Sequence, residues 1–214
     1  MKLAVIADGG FLVSLLRQQG NSQDMERSAL ELHTWLSKGL IQKLSETLGT
    51  RVTLFRIYYY DCYPYEGEVR HPITGMSKKA VSGPYRKKFL DCLARLPYMS
   101  LRAGRLSLNG WRIKDLSRKL ANNDSISVDD IEPHYQQKEV DILISLDVCE
   151  LTKHRMADSV LFLTADSDFA PLMEYARGCG LLVYLCNFGK PVPQTLLAAN
   201  DWHLDCQLSE IAKR

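Results

Sequence analysis

The stretch SVLFLTADSDFAPLMEYARGCGLLVYLC, residues 159–186, decides the fold class. It begins with an apolar run over 159–164, continues with a helix-like segment over 169–180 that ends at glycine, and closes with a second apolar run over 181–186. Short continuous apolar runs predict buried strands, and the segment between them predicts a helix. A strand, a helix and a strand in this order are typical of a parallel sheet that is covered by helices.

The same alternation extends over the rest of the chain. Residues 3–7 and 52–61 predict two more strands, and residues 26–48 carry leucine and isoleucine at helical spacing up to Gly49. We therefore expect one α/β domain over residues 1–214, a PIN-like or Rossmann-like parallel sheet of about five strands with helices on both faces. The remaining expected elements are a loop over 62–83, helices over 84–96, 138–154 and 193–200, a β-hairpin around Asn109-Gly110 over 100–114, an irregular segment over 119–137 and an edge strand over 202–208.

Composition excludes several classes of protein. Hydrophobic residues make up 46% of the 214 residues and charged residues 24%, which is typical of globular domains. The longest apolar runs are shorter than the roughly 18 residues that a membrane helix requires, so we expect no membrane association. The six cysteines are scattered without a C-x-x-C pair, which predicts free thiols in a reducing cytoplasm and no zinc site.

Acidic residues follow the predicted strands at their carboxyl ends. Asp8 follows the first strand, and Asp166 and Asp168 follow the strand over 159–164. Ligands of open parallel sheets bind beyond this edge, so the three carboxylates meet there if the two strands are neighbours. Asp141, in the first turn of the helix predicted to begin near Lys138, would add a fourth. Crowded carboxylates raise each other's pKa, and one or two Mg²⁺ or Mn²⁺ ions would remove that cost.

Each of these acids also has a structural interpretation. Asp166 or Asp168 could cap the following helix, and Asp141 could complement a helix dipole. Asp61, after three tyrosines, ends the second strand and could lie near the same edge, although a cap or loop role is favoured. Asp147 lies six positions beyond Asp141 and faces elsewhere on the same helix, so it is interpreted as a supporting or surface residue.

A basic tract runs from Lys78 to Lys119. It contains 12 Lys and Arg against 2 Asp and Glu, a net charge of +10 in a chain whose total is +2. It predicts either a solvated face or a surface for a polyanion. Three aromatic residues of the tract, Tyr85, Tyr98 and Trp111, could stack on unpaired bases. Trp111 could instead belong to the core of the predicted hairpin. The candidate phosphate-binding residues are Lys78, Lys79, Arg86, Lys87, Lys88, Arg102, Arg105 and Arg112, and we expect Arg86, Lys87 and Lys88 on the outer side of one helix.

Five motifs together give the chain a family resemblance. They are VIADGGFL (5–12), FRIYYYDC (55–62), QKEVDILISLDV (137–148), LFLTADSDFAPLMEYARGCGLLVYL (161–185) and LLAANDWHLDC (196–206). With these motifs the chain resembles the NYN domain, in the LabA-like branch of the PIN-like nuclease superfamily, over nearly all of its length. The resemblance implies a parallel sheet with an acidic pocket at one end. It also implies cleavage of RNA phosphodiester bonds by water that a divalent metal activates.

The resemblance also implies roles for particular residues. Asp8, Asp141, Asp166 and Asp168 correspond to the catalytic, metal-binding aspartates, with Mg²⁺ or Mn²⁺ as the cofactor. Lys138 could contact a phosphate or be a solvated lysine at the start of a helix, and Ser167 could bind substrate or shape its turn. The expected partner is single-stranded RNA, and a homo-oligomer is possible.

The sequence departs from the family pattern at three positions. Phe11 stands where many members have asparagine, and Glu139 and Ala165 stand where many have glycine. The loss of asparagine leaves open a second function, a PIN-like module that binds RNA or protein without cleaving it. A phosphatase with an aspartate nucleophile is disfavoured, because that chemistry requires an acid where Gly10 stands.

Overall fold

The computed structural model describes residues 1–18, 24–79 and 84–212, and these form an α/β fold around one large sheet. The sheet has seven strands in the order β6-β5-β2-β1-β7-β8-β9, and a separate pair, β3 and β4, forms a small hairpin. The strands are β1 (Lys2–Asp8), β2 (Thr53–Cys62), β3 (Glu68–Arg70), β4 (Ser77–Lys79), β5 (Met99–Ile113), β6 (Ile131–Lys138), β7 (Ser159–Leu163), β8 (Leu182–Cys186) and β9 (Trp202–His203).

Helices connect the strands and cover both faces of the sheet, as the sequence predicts. The helices are α1 (Gly9–Gln18), α2 (Met25–Thr34), a π-helical segment (Trp35–Gly39), α3 (Leu40–Leu48), α4 (Pro84–Leu93), α5 (Leu116–Asn122), α6 (Val140–Lys153), α7 (Ala170–Gly178), α8 (Gln194–Ala198) and α9 (Leu208–Ala212). The helical pattern over 26–48 therefore corresponds to α2, the π-helical segment and α3, and it ends at Gly49 with φ +61°.

Two hydrophobic cores lie on opposite faces of the sheet. Side chains of α1, α2, α3, α4 and α9 pack on one face, and side chains of α6, α7 and α8 pack on the other. Tyr59 contributes to the first core, whereas Tyr58 and Tyr60 contribute to the second. The central strands β1 and β7 are buried on both sides, which explains why their sequences are continuously apolar rather than alternating.

The parallel part of the sheet brings several strand ends to one edge. β1 pairs in parallel with β2 and with β7, and β7 pairs in parallel with β8. The first part of β5 pairs in parallel with β2, with Gly104 opposite Cys62. The carboxyl ends of β5, β2, β1 and β7 therefore follow one another along this edge, in that order.

The hairpin predicted around Asn109-Gly110 is wrong. The strand β5 is continuous through these residues, which form an irregularity between Leu108 and Trp111, and β5 pairs antiparallel with β6 instead. A glycine at positive φ serves a bulge as well as a tight turn, and Gly110 has φ +87°. The segment over 119–137, predicted to be irregular, contains part of α5 and most of β6, so the sheet has seven strands rather than about five.

Beyond Gly104, β5 continues past the carboxyl end of β2. Residues 105–113 of β5 pair with residues 131–138 of β6, and we call this two-stranded extension the β-arm. The hairpin of β3 and β4 lies against it, with the rings of His71 and Trp111 5.3 Å apart and those of Tyr65 and Tyr135 also 5.3 Å apart. This small hairpin falls within the segment predicted as a loop. Within the described residues, the helices are all too short or too polar to cross a bilayer.

Candidate active site

Asp8 lies at the centre of the acidic edge. It is the last residue of β1, and one of its carboxylate oxygens accepts a hydrogen bond from the backbone N–H of Phe11 at 3.1 Å. Burial raises the pKa of Asp8 above its usual value, and the nearby charges of Asp166 and Asp61 raise it further, against the hydrogen bonds from the Phe11 and Gly10 backbone. The charges of two other carboxylates, one near the end of β2 and one in the turn after β7, therefore act on Asp8.

The glycine pair after Asp8 allows α1 to begin directly at this edge. A Cβ atom on Gly9 would lie 2.5 Å from the carbonyl oxygen of Tyr60 and 2.6 Å from a carboxylate oxygen of Asp61. Only a residue without a side chain fits in this space, so the close approach explains the glycine after Asp8.

Asp166 shapes the turn between β7 and α7. Its backbone N–H donates to the hydroxyl of Thr164 at 3.1 Å, and its carboxylate accepts the N–H of Asp168 at 3.0 Å. Asp166 therefore caps the short 3-10 helix Ser167–Phe169 that leads into α7. Ser167 and Asp168 are exposed in this turn. The capping interpretation of Asp166 is thus correct, and its charge acts on Asp8 as well.

Asp141 lies in the first turn of α6, as predicted, and is exposed. The start of α6 is packed against Gly104, where the pairing of β5 with β2 ends, because a Cβ on Gly104 would meet the Lys138 carbonyl and the Val140 side chain. The topology therefore places Asp141 near the same edge, beside β5.

The described residues do not assemble a complete metal cluster. Among residues 1–18, 24–79 and 84–212, no three His, Cys, Asp or Glu side chains are grouped closely enough to hold a metal ion. The convergence of Asp8, Asp141, Asp166 and Asp168 stays a prediction. The donor chemistry nevertheless fits Mg²⁺ or Mn²⁺, because carboxylate oxygens are the ligands these ions prefer. Within the described part of the chain, none of these four acids forms an ion pair.

Asp61 is a buried acid near the end of β2. It lies inside β2 and is only 2% exposed, rather than in a cap or a loop. Burial raises the pKa of Asp61. The ion pair with the Arg86 guanidinium and the hydrogen bond from the N–H of Cys62 at 2.7 Å lower this pKa, but they do not fully offset the burial. No local pattern in the sequence indicates this pair, because Arg86 lies 25 positions further along the chain.

Asp147 supports the same strand from the other face of the sheet. Its carboxylate accepts two hydrogen bonds from Arg102, at 2.8 and 2.9 Å, and one from the hydroxyl of Tyr60 at 2.9 Å. The sequence predicts either a supporting or a surface role for Asp147, and these hydrogen bonds show the supporting role.

Much of the basic tract is neutralised by acids from other segments. Arg86 turns inward to Asp61, so the prediction that it shares an outer surface with Lys87 and Lys88 is wrong. The other pairs are Lys87–Glu66 (2.8 Å), Lys88–Glu26 (3.1 Å), Arg102–Asp147 (2.8 Å), Arg105–Glu139 (2.7 Å) and Arg112–Glu132 (2.7 Å).

Two candidate phosphate-binding lysines are not paired with an acid among the described residues. Lys79 and Lys138 are exposed and form no ion pair within the described residues. The side chain of Lys78 lies outside the described part of the structure. The free positive charge near the acidic edge is therefore smaller than the sequence count indicates.

Two departures from the family pattern have structural explanations. The ring of Phe11 stacks against Phe188 at 6.4 Å, so an apolar contact stands where many members have a polar side chain. Glu139 has φ +76°, a conformation that glycine adopts easily, and its carboxylate pairs with Arg105.

The fold and the acidic edge define a nuclease-like α/β domain, and comparison with known families agrees. The sequence model of the NYN domain matches residues 84–206. The chain therefore belongs to the NYN domain family, within the PIN-like nuclease superfamily. The match includes Asp141, Asp166 and Asp168, whereas Asp8 precedes it. The LabA-like branch stays a prediction.

Comparison with individual proteins adds little. No curated protein matches the chain. Among solved structures, the chain is similar to the crystal structure of a protein of unknown function, VPA0982, from Vibrio parahaemolyticus RIMD 2210633. The two are 14% identical with a TM-score of 0.49, over 94% of this chain and 90% of that one.

Proposed function

We propose that this protein is a divalent-metal-dependent ribonuclease that cleaves single-stranded RNA. The observation that carries the proposal is the contrast among the acids of one sheet edge. Asp61 is neutralised by Arg86 of the chain itself, whereas Asp8 feels the charge of Asp166 and neither forms an ion pair among the described residues. Crowded carboxylates without a cation are unfavourable unless an ion from solution binds there.

The aspartates would hold Mg²⁺ or Mn²⁺, with Asp8 and Asp166 as the nearest pair and Asp141 and Asp168 completing the set. The ion, when bound, lowers the pKa of a water and stabilises charge on a phosphate. Lys138, exposed at the end of β6 next to this edge, would hold the phosphate backbone, and the exposed hydroxyl of Ser167 would donate a hydrogen bond to the substrate. Arg86 forms an ion pair with Asp61, whose charge acts on Asp8.

The cysteines fit the cytoplasmic location that we propose. All six are free, and the sulfur atoms of Cys186 and Cys206 lie 3.4 Å apart without a bond. Neighbouring thiols that remain reduced are expected in a reducing compartment.

The test is cleavage of an end-labelled single-stranded RNA by purified protein with Mn²⁺, with Mg²⁺ and with EDTA. We expect cleavage with metal only, and a loss of about 100-fold or more in Asp166→Asn, because the ion contributes several kcal/mol to catalysis. The control is Asp124→Asn, which changes an exposed aspartate after α5 and should cleave like the parent. Cleavage in EDTA, or equal rates in both variants, would overturn the proposal.

A second function is favoured by one specific observation. Phe11 packs on Phe188 where many members carry a polar side chain, and this supports a module that binds RNA without cleaving it. The same assay separates the two, because such a module would retain RNA in a mobility-shift experiment and leave it intact with Mn²⁺.

A further inference from the structure

A cavity lies between the β-arm and the small hairpin of β3 and β4. It has a volume of about 430 Å³, and its walls include Trp111 and Tyr135 of the β-arm and His71 of the turn between β3 and β4. The rings of His71 and Trp111 are 5.3 Å apart and inclined at 60°. This volume falls in the range of sites that bind small molecules. The walls therefore offer aromatic surface on which a planar ligand can stack.

Two lysines of this cavity supply positive charge. Lys79, at the end of β4, and Lys114, just after β5, both line it, and neither forms an ion pair in the residues that the structure describes. Glu132 also lines the cavity, but its charge is taken by Arg112 at 2.7 Å. Asp129 remains as an acid that can accept hydrogen bonds. Ammonium groups next to aromatic rings match a nucleotide, with a phosphate for the lysines and a base for the rings.

The position of the cavity connects it to the acidic edge. Gly104 of β5 lies opposite Cys62 at the edge, and Trp111 follows seven residues further along the same strand. At about 3.3 Å per residue the separation is roughly 20 Å. Lys138 and Arg105 face each other across the β-arm between the two places. An RNA strand that crosses the edge at Asp8 can follow the β-arm to the cavity.

We propose that this cavity binds one unstacked base of single-stranded RNA, together with its neighbouring phosphate, outside the cleavage site. Trp111 and His71 contact the base, and Lys79 and Lys114 contact the phosphate. Asp129 accepts a hydrogen bond from an amino group of the base, as carboxylates do with cytosine. The inference rests on the proposed function, since it assumes that the substrate is RNA.

The experiment measures binding of a labelled single-stranded RNA in EDTA, by fluorescence anisotropy, so that cleavage does not interfere. Trp111→Ala should weaken binding about 5- to 140-fold, which corresponds to the 1 to 3 kcal/mol found per stacked base. Trp111→Phe should retain most of the affinity. Trp202→Ala is the matched control, because Trp202 is 50% exposed on β9 at the far side of the sheet, and it should bind like the parent.

Salt dependence tests the lysines independently of the folding of the tryptophan variants. Lys114→Gln should reduce the slope of log affinity against log salt by about 0.7, the value for one phosphate contact on a single strand. If folded Trp111→Ala binds as tightly as the parent, or if Lys114→Gln leaves the slope unchanged, the cavity does not bind RNA. Cleavage with Mn²⁺ in those variants would leave the proposed function intact, whereas a parent that neither binds nor cleaves RNA overturns both proposals.

Discussion

The acids in β2 or packed against it differ from the acids that follow β1 and β7, because only the first group is paired with arginines of the chain. Near the end of β2, Asp61 is buried against Arg86, while Tyr60 of β2 and Arg102 of β5 hold Asp147 of α6 on the other face of the sheet. After β1 and β7, the charge of Asp166 adds to the burial that raises the pKa of Asp8, and neither acid forms an ion pair among the described residues. The chain thus uses its basic tract to neutralise the acids that build the scaffold, and leaves the others open to a cation from solution.

The largest effect should come from breaking the buried pair above β2. Arg86→Met leaves the 2% exposed carboxylate of Asp61 without its cation, so we expect the free energy of unfolding to fall by about 3 kcal/mol. Urea denaturation followed by circular dichroism measures this change.

Lys87→Met is the matched control for this prediction. Lys87 lies next to Arg86 on α4, and its ion pair with Glu66 is exposed, so no measurable change in the urea midpoint is expected. Equal destabilisation by the two variants would show that Asp61 does not depend on Arg86.

A smaller effect should follow from Arg102→Met. The variant removes two hydrogen bonds to Asp147, but Tyr60 still donates one and the arginine side chain is 38% exposed, so we expect a loss of about 1 to 2 kcal/mol. Arg112→Met, which breaks the exposed pair with Glu132, should lose less in the same melt. A larger loss in Arg112→Met would contradict the supporting role of Asp147.

The smallest effect concerns Glu139, where many family members have glycine. Its positive φ costs about 1 to 2 kcal/mol in a residue with a side chain, while its exposed pair with Arg105 and the lower entropy of the unfolded chain offset part of this cost. Glu139→Gly should therefore change the free energy of unfolding by less than about 1 kcal/mol, as measured by urea denaturation. Glu139→Ala, which keeps the strain and loses the pair, should be the less stable of the two.

The sequence predicts the layers of this fold because buried strands and amphipathic helices have distinct apolar patterns. It does not predict the β-arm, since Asn109-Gly110 suits a bulge and a tight turn equally well. The choice depends on a partner strand more than twenty residues further along the chain. The strand β6 contains proline, histidine and glutamine, and it has little apolar pattern to identify it.

The candidate site is predictable to a similar extent. Asp8 and Asp166 follow from the general rule that ligands bind at the carboxyl ends of parallel strands, and the charge of Asp166 acts on Asp8 in the structure. The role of Asp61 depends on an arginine 25 positions away in the chain, and no local pattern indicates such a pair. For the same reason the basic tract looked freer in the sequence than it is in the structure.

The central claim is that Asp8 and Asp166 can bind a cation from solution. It predicts that Asp8→Asn is more stable than the parent without metal and less stable than the parent with metal. Burial and neighbouring acids raise the folded-state pKa of Asp8, so its ionised form destabilises the metal-free protein at neutral pH. This cost disappears as the pH falls below the unfolded value of 3.8, where the group is protonated in both states.

The most direct measurement compares the melting temperatures of the parent and of Asp8→Asn, in EDTA and in Mn²⁺. In EDTA at neutral pH the variant should melt higher, and this advantage should vanish at low pH. With Mn²⁺ at about 100 times its dissociation constant the parent should gain about 2.7 kcal/mol, and the variant much less, so that the order reverses. An equal shift of both proteins by Mn²⁺, or a variant that melts lower than the parent in EDTA, would contradict the claim.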